Sequence, residues 1–169
     1  MTRGYLEVIG GEIYDRVKLA DPPITINDSG ENATASIAPP PRAHLFCWPL
    51  GQEGKTLAHT NMLNAGQLDQ PKKFIIRKMH LDILENGVPA DESSRFWWSS
   101  YVDVIIVSKS YLTIPAHALF RRPYEFESPI VLEGGMHFEV VFETLHTFDP
   151  RRKIEVAVRF SGTLSRAIL

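Results

Sequence analysis

Two stretches in the last third of the chain decide its fold: MHFEVVFE at residues 136–143 and KIEVAVRF at residues 153–160. In both, the even positions are apolar and most odd positions are polar, with Val141 and Ala157 as the exceptions. Side chains alternate between the two faces of a strand, whereas a helix would spread the same apolar residues around its surface. The pattern predicts an antiparallel hairpin with one face on a core and the other in water.

The rest of the chain is divided into short pieces by 12 prolines and 11 glycines. Strand-like runs occur at residues 12–19, 74–84, 102–107 and 111–114, and the sequence favours no long helix. We expect seven to nine short strands in total and find no internal repeat. This pattern predicts an all-β protein, either an antiparallel β-sandwich or a single jelly-roll barrel.

The segment between residues 21 and 43 differs in composition from the rest. It contains Pro22, Pro23, Pro39, Pro40 and Pro41, separated by residues typical of turns. Such a composition predicts an extended arm. We therefore divide the chain into an N-terminal strand and arm at residues 1–43 and a β-sandwich domain at residues 44–169.

The composition excludes several classes of function. Eighteen basic residues face 20 acidic ones, with a net charge of −2, which excludes a strongly basic nucleic-acid coat. The single Cys47 excludes an intramolecular disulfide and a cysteine-rich zinc site. No run is apolar and long enough for a transmembrane helix, and residues 1–11 lack the pattern of a secretory signal.

No motif predicts a catalytic centre. The triplet Gly54-Lys55-Thr56 resembles the end of a phosphate-binding loop, but Pro49 occupies the position that requires glycine. We expect a turn there. Cys47 lies in an apolar group, Leu45 to Trp48, and its thiol is predicted to be buried rather than nucleophilic.

The six histidines contain neither His-x-His, which cupin enzymes use, nor His-Glu-x-x-His. Convergence of His80, His137 and His146 with Glu139 in space remains an alternative. We predict no catalytic residue, no metal ligand and no cofactor, and the chain is not expected to be an enzyme.

Three consecutive aromatic residues, Phe96, Trp97 and Trp98, form the most distinctive short motif. On a strand, at least one of them would face away from the local core. Aromatic residues are enriched at the centres of protein interfaces, so we predict an interface here, together with Pro39, Pro40 and Pro41 of the arm. The alternatives are a strand buried on both faces, a bulge that turns two rings inward, and sugar stacking by the two Trp rings.

Residues 59–68, which lead into 74–77, and residues 154–160 followed by 162–166 resemble stretches of phage structural proteins. The chain is similar in style to the small major capsid proteins of tailless, icosahedral, membrane-containing double-stranded DNA phages. That resemblance implies a jelly-roll subunit of a virion, made in the host cytoplasm. Its partners would be other copies, other capsid proteins and an internal membrane, with no small-molecule substrate. Direct contact with the genome is not expected, because residues 1–43 contain only four basic side chains.

Three hypotheses follow from the sequence. The first is a viral structural protein, a capsid subunit that assembles through its loops and arm. The second is a cupin-like metal-dependent enzyme. The third is a carbohydrate- or receptor-binding module of a virion spike or tail, which would use Trp97 and Trp98.

Overall fold

The computed structural model describes residues 5–19, 26–27, 34–35, 42–68, 72–145 and 153–168, which are nearly all strand and turn. Its short helices are α1 (Arg95–Trp98) and a 3-10 helix at Ala116–Leu119. The strands are β1 (Tyr5–Lys18), β2 (Ile26–Asn27), β3 (Thr34–Ala35), β4 (Arg42–Leu45), β5 (Lys73–Glu85), β6 (Val88–Pro89), β7 (Ser100–Ile106), β8 (Lys109–Pro115), β9 (Tyr124–Glu133), β10 (Phe138–Thr144) and β11 (Ile154–Ile168). In this part of the chain, no helix has the length and apolar character needed to cross a bilayer.

The strands form two main sheets in which every pairing is antiparallel. The first sheet has the order β1-β11-β5, and β5 then pairs with β6 near its C-terminal end and with β9 over Lys73 to Met79. The second sheet has the order β4-β10-β7-β8. Strands β2 and β3 pair only with each other among the described strands. The all-β, antiparallel class predicted from the sequence is therefore confirmed.

The core lies between the two main sheets and contains alternate residues from each. Val158 and Phe160 of β11 and Phe142 of β10 are at most 1% exposed. Phe46, which follows β4, places its ring against Phe160 of the first sheet, with 5.5 Å between ring centroids, and against Phe138 of the second sheet, at 5.4 Å. One aromatic side chain thus joins the buried faces of both sheets.

The predicted hairpin between residues 136–143 and 153–160 is wrong. Both stretches are strands with the predicted alternation, but β10 pairs with β4 and β7, whereas β11 pairs with β1 and β5. The two strands belong to different sheets and meet only through the core. An alternating pattern shows which face of a strand is buried, and it contains no information about which strand lies beside it.

The N-terminal segment contributes strands to both sheets. β1 pairs with β11 along all of its 14 residues, and Arg16 donates two hydrogen bonds to the Glu155 carboxylate, at 2.7 and 2.8 Å. These bonds, with the nearby Lys153, lower the pKa of Glu155. The boundary placed after residue 43 falls within β4. Pro39, Pro40 and Pro41 lie outside the described residues.

A close approach between β5 and β11 requires glycine at position 162. The register of the two strands shifts there: Ser161 pairs with Lys78, but the next residue, Gly162, pairs with Ile76, so one residue of β5 is skipped. A Cβ atom on Gly162 would lie 1.8 Å from the carbonyl oxygen of Ile75, a distance that no real contact allows. The bulge therefore brings the two backbones closer than any side chain permits.

Replacing Gly162 with alanine is expected to lower the free energy of unfolding by about 2 kcal/mol or more, since the two central strands would have to separate. Urea and thermal unfolding followed by circular dichroism measure the change, which corresponds to roughly 4–8 °C in Tm. Gly10→Ala is the matched control, because a Cβ atom there meets no atom within 4 Å. Equal stability of the Gly162→Ala and Gly10→Ala proteins would contradict the close approach.

Candidate functional site

The aromatic motif Phe96-Trp97-Trp98 lies on a helix, so the prediction that it forms part of a strand is wrong. Ser94 caps α1 by accepting a hydrogen bond from the Phe96 N–H, and this local capping favours one helical turn. Successive side chains on a helix point about 100° apart. Phe96 and Trp97 therefore both reach the core, at 1% and 3% exposed, while Trp98 is 61% exposed.

The two Trp rings have different environments. The Trp97 Nε1–H donates to the Ala90 carbonyl oxygen at 3.2 Å inside the protein. The Trp98 Nε1–H donates to the Glu92 carbonyl oxygen at 2.8 Å, and its ring stacks on the imidazole of His117 with 3.4 Å between centroids. Because Trp97 is buried, the two rings do not form a shared stacking platform on the surface.

Trp98 lies at the end of the second sheet where two other apolar side chains, Tyr101 and Leu145, are also exposed, and we call these three residues the end patch. Tyr101 is 47% exposed and Leu145 is 62% exposed. The Leu145 N–H donates to the Ser99 carbonyl oxygen at 2.8 Å, which brings the end of β10 beside the start of β7. The sequence motif identified Trp98 but missed Tyr101, which lies three positions later, and Leu145, which only strand pairing brings near although it is more than 40 positions away.

The segment around Gly54-Lys55-Thr56 forms a turn and holds a buried ion pair. Lys55 Nζ donates to Asp15 Oδ1 at 2.9 Å and to the Arg16 carbonyl oxygen. The other oxygen of Asp15 accepts the Phe46 N–H at 2.6 Å. Burial raises the pKa of Asp15, and its hydrogen bonds with Phe46 and Lys55 oppose that rise. The lysine that resembled a phosphate ligand is thus a structural partner of Asp15.

Three potential metal ligands meet on the outer face of the second sheet: His44, Cys47 and Glu139. Glu139 Oε2 lies 3.5 Å from Cys47 Sγ and 3.7 Å from His44 Nδ1, and all three ligand atoms lie within 4.8 Å of one another. His44 comes from β4, Cys47 follows that strand, and Glu139 comes from the neighbouring β10. Among the described residues, this is the group of three that could hold an ion.

The backbone at Phe46 explains why His44 and Cys47 share a face. On a regular strand, residues three apart point to opposite sides. Phe46 has a φ of 68°, an unusual left-handed conformation for a bulky residue. This reversal places the Phe46 ring in the core and directs Cys47 back toward Glu139.

The Cys47 thiol is protonated at neutral pH. Burial raises its pKa to about 11, and the nearby Glu139 carboxylate adds to the rise. A thiol in this state is a weak nucleophile, because the thiolate is the reactive form. The prediction that Cys47 is not a nucleophile agrees with this environment, although the residue is half-buried rather than fully buried.

The alternative convergence of three other histidines with Glu139 is not formed. His80 lies on β5 of the first sheet, where its Nε2 is 3.4 Å from Ser161 Oγ. His137 and Glu139 line a shallow groove together with Cys47 and Gly66. His146 lies outside the described residues. The sequence signal for His44 was weak because its partners depend on strand pairing and on the turn at Phe46.

Comparisons of the chain with models of protein families, with curated proteins and with solved structures found no match.

We expect Cys47 to react with iodoacetamide only at strongly alkaline pH, with a midpoint near its pKa of about 11. The rate of alkylation measured against pH by mass spectrometry gives this midpoint, and the urea-unfolded chain gives the reference value for an exposed thiol. Glu139→Gln should move the midpoint to lower pH, because it removes a negative charge beside the thiolate.

Glu127→Gln is the matched control for this titration, since Glu127 is exposed on β9 of the other sheet. It should leave the midpoint unchanged. A wild-type midpoint equal to that of the unfolded chain would show that Cys47 is neither buried nor close to Glu139.

Proposed function

We propose that the chain is a single jelly-roll coat subunit of a virion. The observation that carries this proposal is the pairing of eight strands of the two main sheets, all of them except the two-residue β6. Taken in chain order, the first pairs with the last (β1 with β11), the second with the seventh (β4 with β10), the third with the sixth (β5 with β9) and the fourth with the fifth (β7 with β8). This nested pairing, divided between two sheets, supports a jelly-roll topology, which is common among viral capsid proteins.

The interior supports a structural role. Jelly rolls also occur in cupins and lectins, so the fold alone does not specify a function. In this protein, the space between the sheets is filled by apolar side chains, with the rings of Phe46, Phe142 and Phe160 fully buried. The space between the sheets is thus packed as a solid core, as a coat subunit requires, and the buried Asp15 and Lys55 side chains are paired with each other.

The end patch provides a surface for contact with a second copy. Trp98, Tyr101 and Leu145 expose about half or more of their surface. Trp and Tyr are the residues that contribute most to protein interfaces. The patch lies where β7 and β10 meet at one end of the second sheet, a position at the rim of the subunit.

Strand β8 offers a further contact, because it is the last strand of the second sheet. An edge strand has backbone N–H and C=O groups that can pair with another chain. We propose that neighbouring subunits use this edge, the end patch and the proline-rich arm, including Pro39 to Pro41. Other capsid proteins and an internal membrane would be the remaining partners in the virion.

The test is self-association of the purified full chain, measured by analytical ultracentrifugation and by electron microscopy. We expect assemblies of many subunits at high protein concentration. Trp98→Ser should weaken self-association by at least about tenfold, because it removes the largest exposed aromatic ring of the end patch.

Trp48→Ser is the matched control, since Trp48 is also exposed (46%) but lies outside the end patch. It should assemble like the wild type, and unfolding curves would show that both variants are folded. A protein that stays monomeric at its highest soluble concentration, with no particles in micrographs, would overturn the coat proposal.

A further inference from the structure

We propose that His44, Cys47 and Glu139 form a site for a divalent transition-metal ion, with Zn²⁺ as the best match. The site lies on the outer face of the second sheet, at the β4–β10 pair. It is therefore separate from the interior of the barrel and from the end patch, and it does not depend on the coat proposal.

Two of the three donor separations are close to the spacing that such an ion requires, and all three donor atoms lie within 4.8 Å of one another. Zn²⁺ bound at about 2.3 Å to sulfur and about 2.0–2.1 Å to nitrogen or oxygen places its ligand atoms about 3.3–3.6 Å apart. The observed separations are 3.5 Å from Cys47 Sγ to Glu139 Oε2 and 3.7 Å from His44 Nδ1 to the same oxygen. Small rotations of the side chains would complete the coordination, and the Cys47 thiol would release its proton to solvent as its sulfur binds the ion.

The types of the three donor atoms indicate which class of metal ion the site would prefer. Cys sulfur and His nitrogen favour zinc and related transition metals, whereas Mg²⁺ and Ca²⁺ prefer sites made only of oxygen atoms. Among the described side chains, His44 and Cys47 contact the Glu139 carboxylate, and no Lys or Arg lies within ion-pairing distance of it. A bound cation would provide that positive charge.

The backbone holds the ligands in place before the metal binds. The unfavourable φ of Phe46 directs Cys47 to the same face as His44. It is fixed by two backbone hydrogen bonds: the Phe46 N–H donates to Asp15 Oδ2 at 2.6 Å, and the Phe46 carbonyl oxygen accepts the Gly66 N–H at 2.7 Å. Bulky residues keep such conformations only where the surroundings enforce them, and such positions are concentrated at functional sites.

One coordination position is open to solvent. The groove beside Cys47 and Glu139 is also lined by Gly66, Ser108 and His137. Water would occupy the fourth position. Three protein ligands with an accessible fourth position are typical of zinc sites that bind an external group, whereas purely structural zinc sites have four protein ligands.

The experiment is titration of the tag-free, metal-stripped full chain with Zn²⁺ by calorimetry and with Co²⁺ by absorption spectroscopy. We expect one ion per chain and a sulfur-to-cobalt charge-transfer band in the near ultraviolet. Cys47→Ser should abolish this band. His44→Ala and Glu139→Gln should each weaken Zn²⁺ binding at least about tenfold, as expected for the loss of a ligand.

His80→Ala is the matched control, because His80 lies on the first sheet and should not affect binding. His44 and Glu139 are accessible on an outer face, so their variants should fold, and circular dichroism of every variant verifies this. The proposal is overturned if the wild type binds no Zn²⁺, if Co²⁺ binds without a thiolate band, or if the three ligand variants bind as tightly as the wild type. None of these outcomes bears on assembly, so the metal and coat proposals can fail separately.

Discussion

The buried carboxylate of Asp15 is the interaction on which the rest of the structure depends. One of its oxygens accepts the Lys55 ammonium and the other accepts the Phe46 N–H, so that it joins β1, the turn at residues 53–56 and the end of β4. A buried charge is tolerated only when it is paired, and loss of one partner typically costs about 3–5 kcal/mol. By fixing Phe46, Asp15 places one aromatic ring between the two sheets and sets the face on which Cys47 lies.

The second constraint is the central position of β11. It pairs with β1 on one side and with β5 on the other, and the bulge at Gly162 allows the close contact with β5. β10 has the corresponding place between β4 and β7 in the other sheet. The two stretches with the clearest alternation are therefore the central strands of the two sheets. A central strand has a neighbour on each side, so its inner face is buried throughout, and this explains why their sequence pattern is so regular.

The sequence was sufficient for the fold class and for the faces of the best strands, because both depend on local alternation. It was insufficient for strand pairing, as the β10–β11 hairpin error shows, because partners are chosen by contacts between distant residues. The Phe96-Trp97-Trp98 motif was misjudged since one capping residue, Ser94, converts a strand-like run into a helical turn. The sequence could not show that His44, Cys47 and Glu139 lie close together. Their proximity depends on the pairing of β4 with β10 and on the left-handed backbone conformation of Phe46, and no sequence pattern predicts either.

The outer face of the second sheet carries two features that strand geometry keeps apart. Glu139 lies at the start of β10 and Leu145 just after its end. Six residues of extended chain separate them, which corresponds to about 20 Å. β10 contributes to both features, but their chemistry differs. The end patch is apolar and suits contact with a protein surface, whereas the His44–Cys47–Glu139 cluster is polar and contains potential metal ligands. A neighbouring subunit that covered the end patch would bury the aromatic rim and still leave room for solvent or an external donor at the cluster. The two proposed roles, assembly at one end of the sheet and metal binding at the other, are therefore compatible in one subunit.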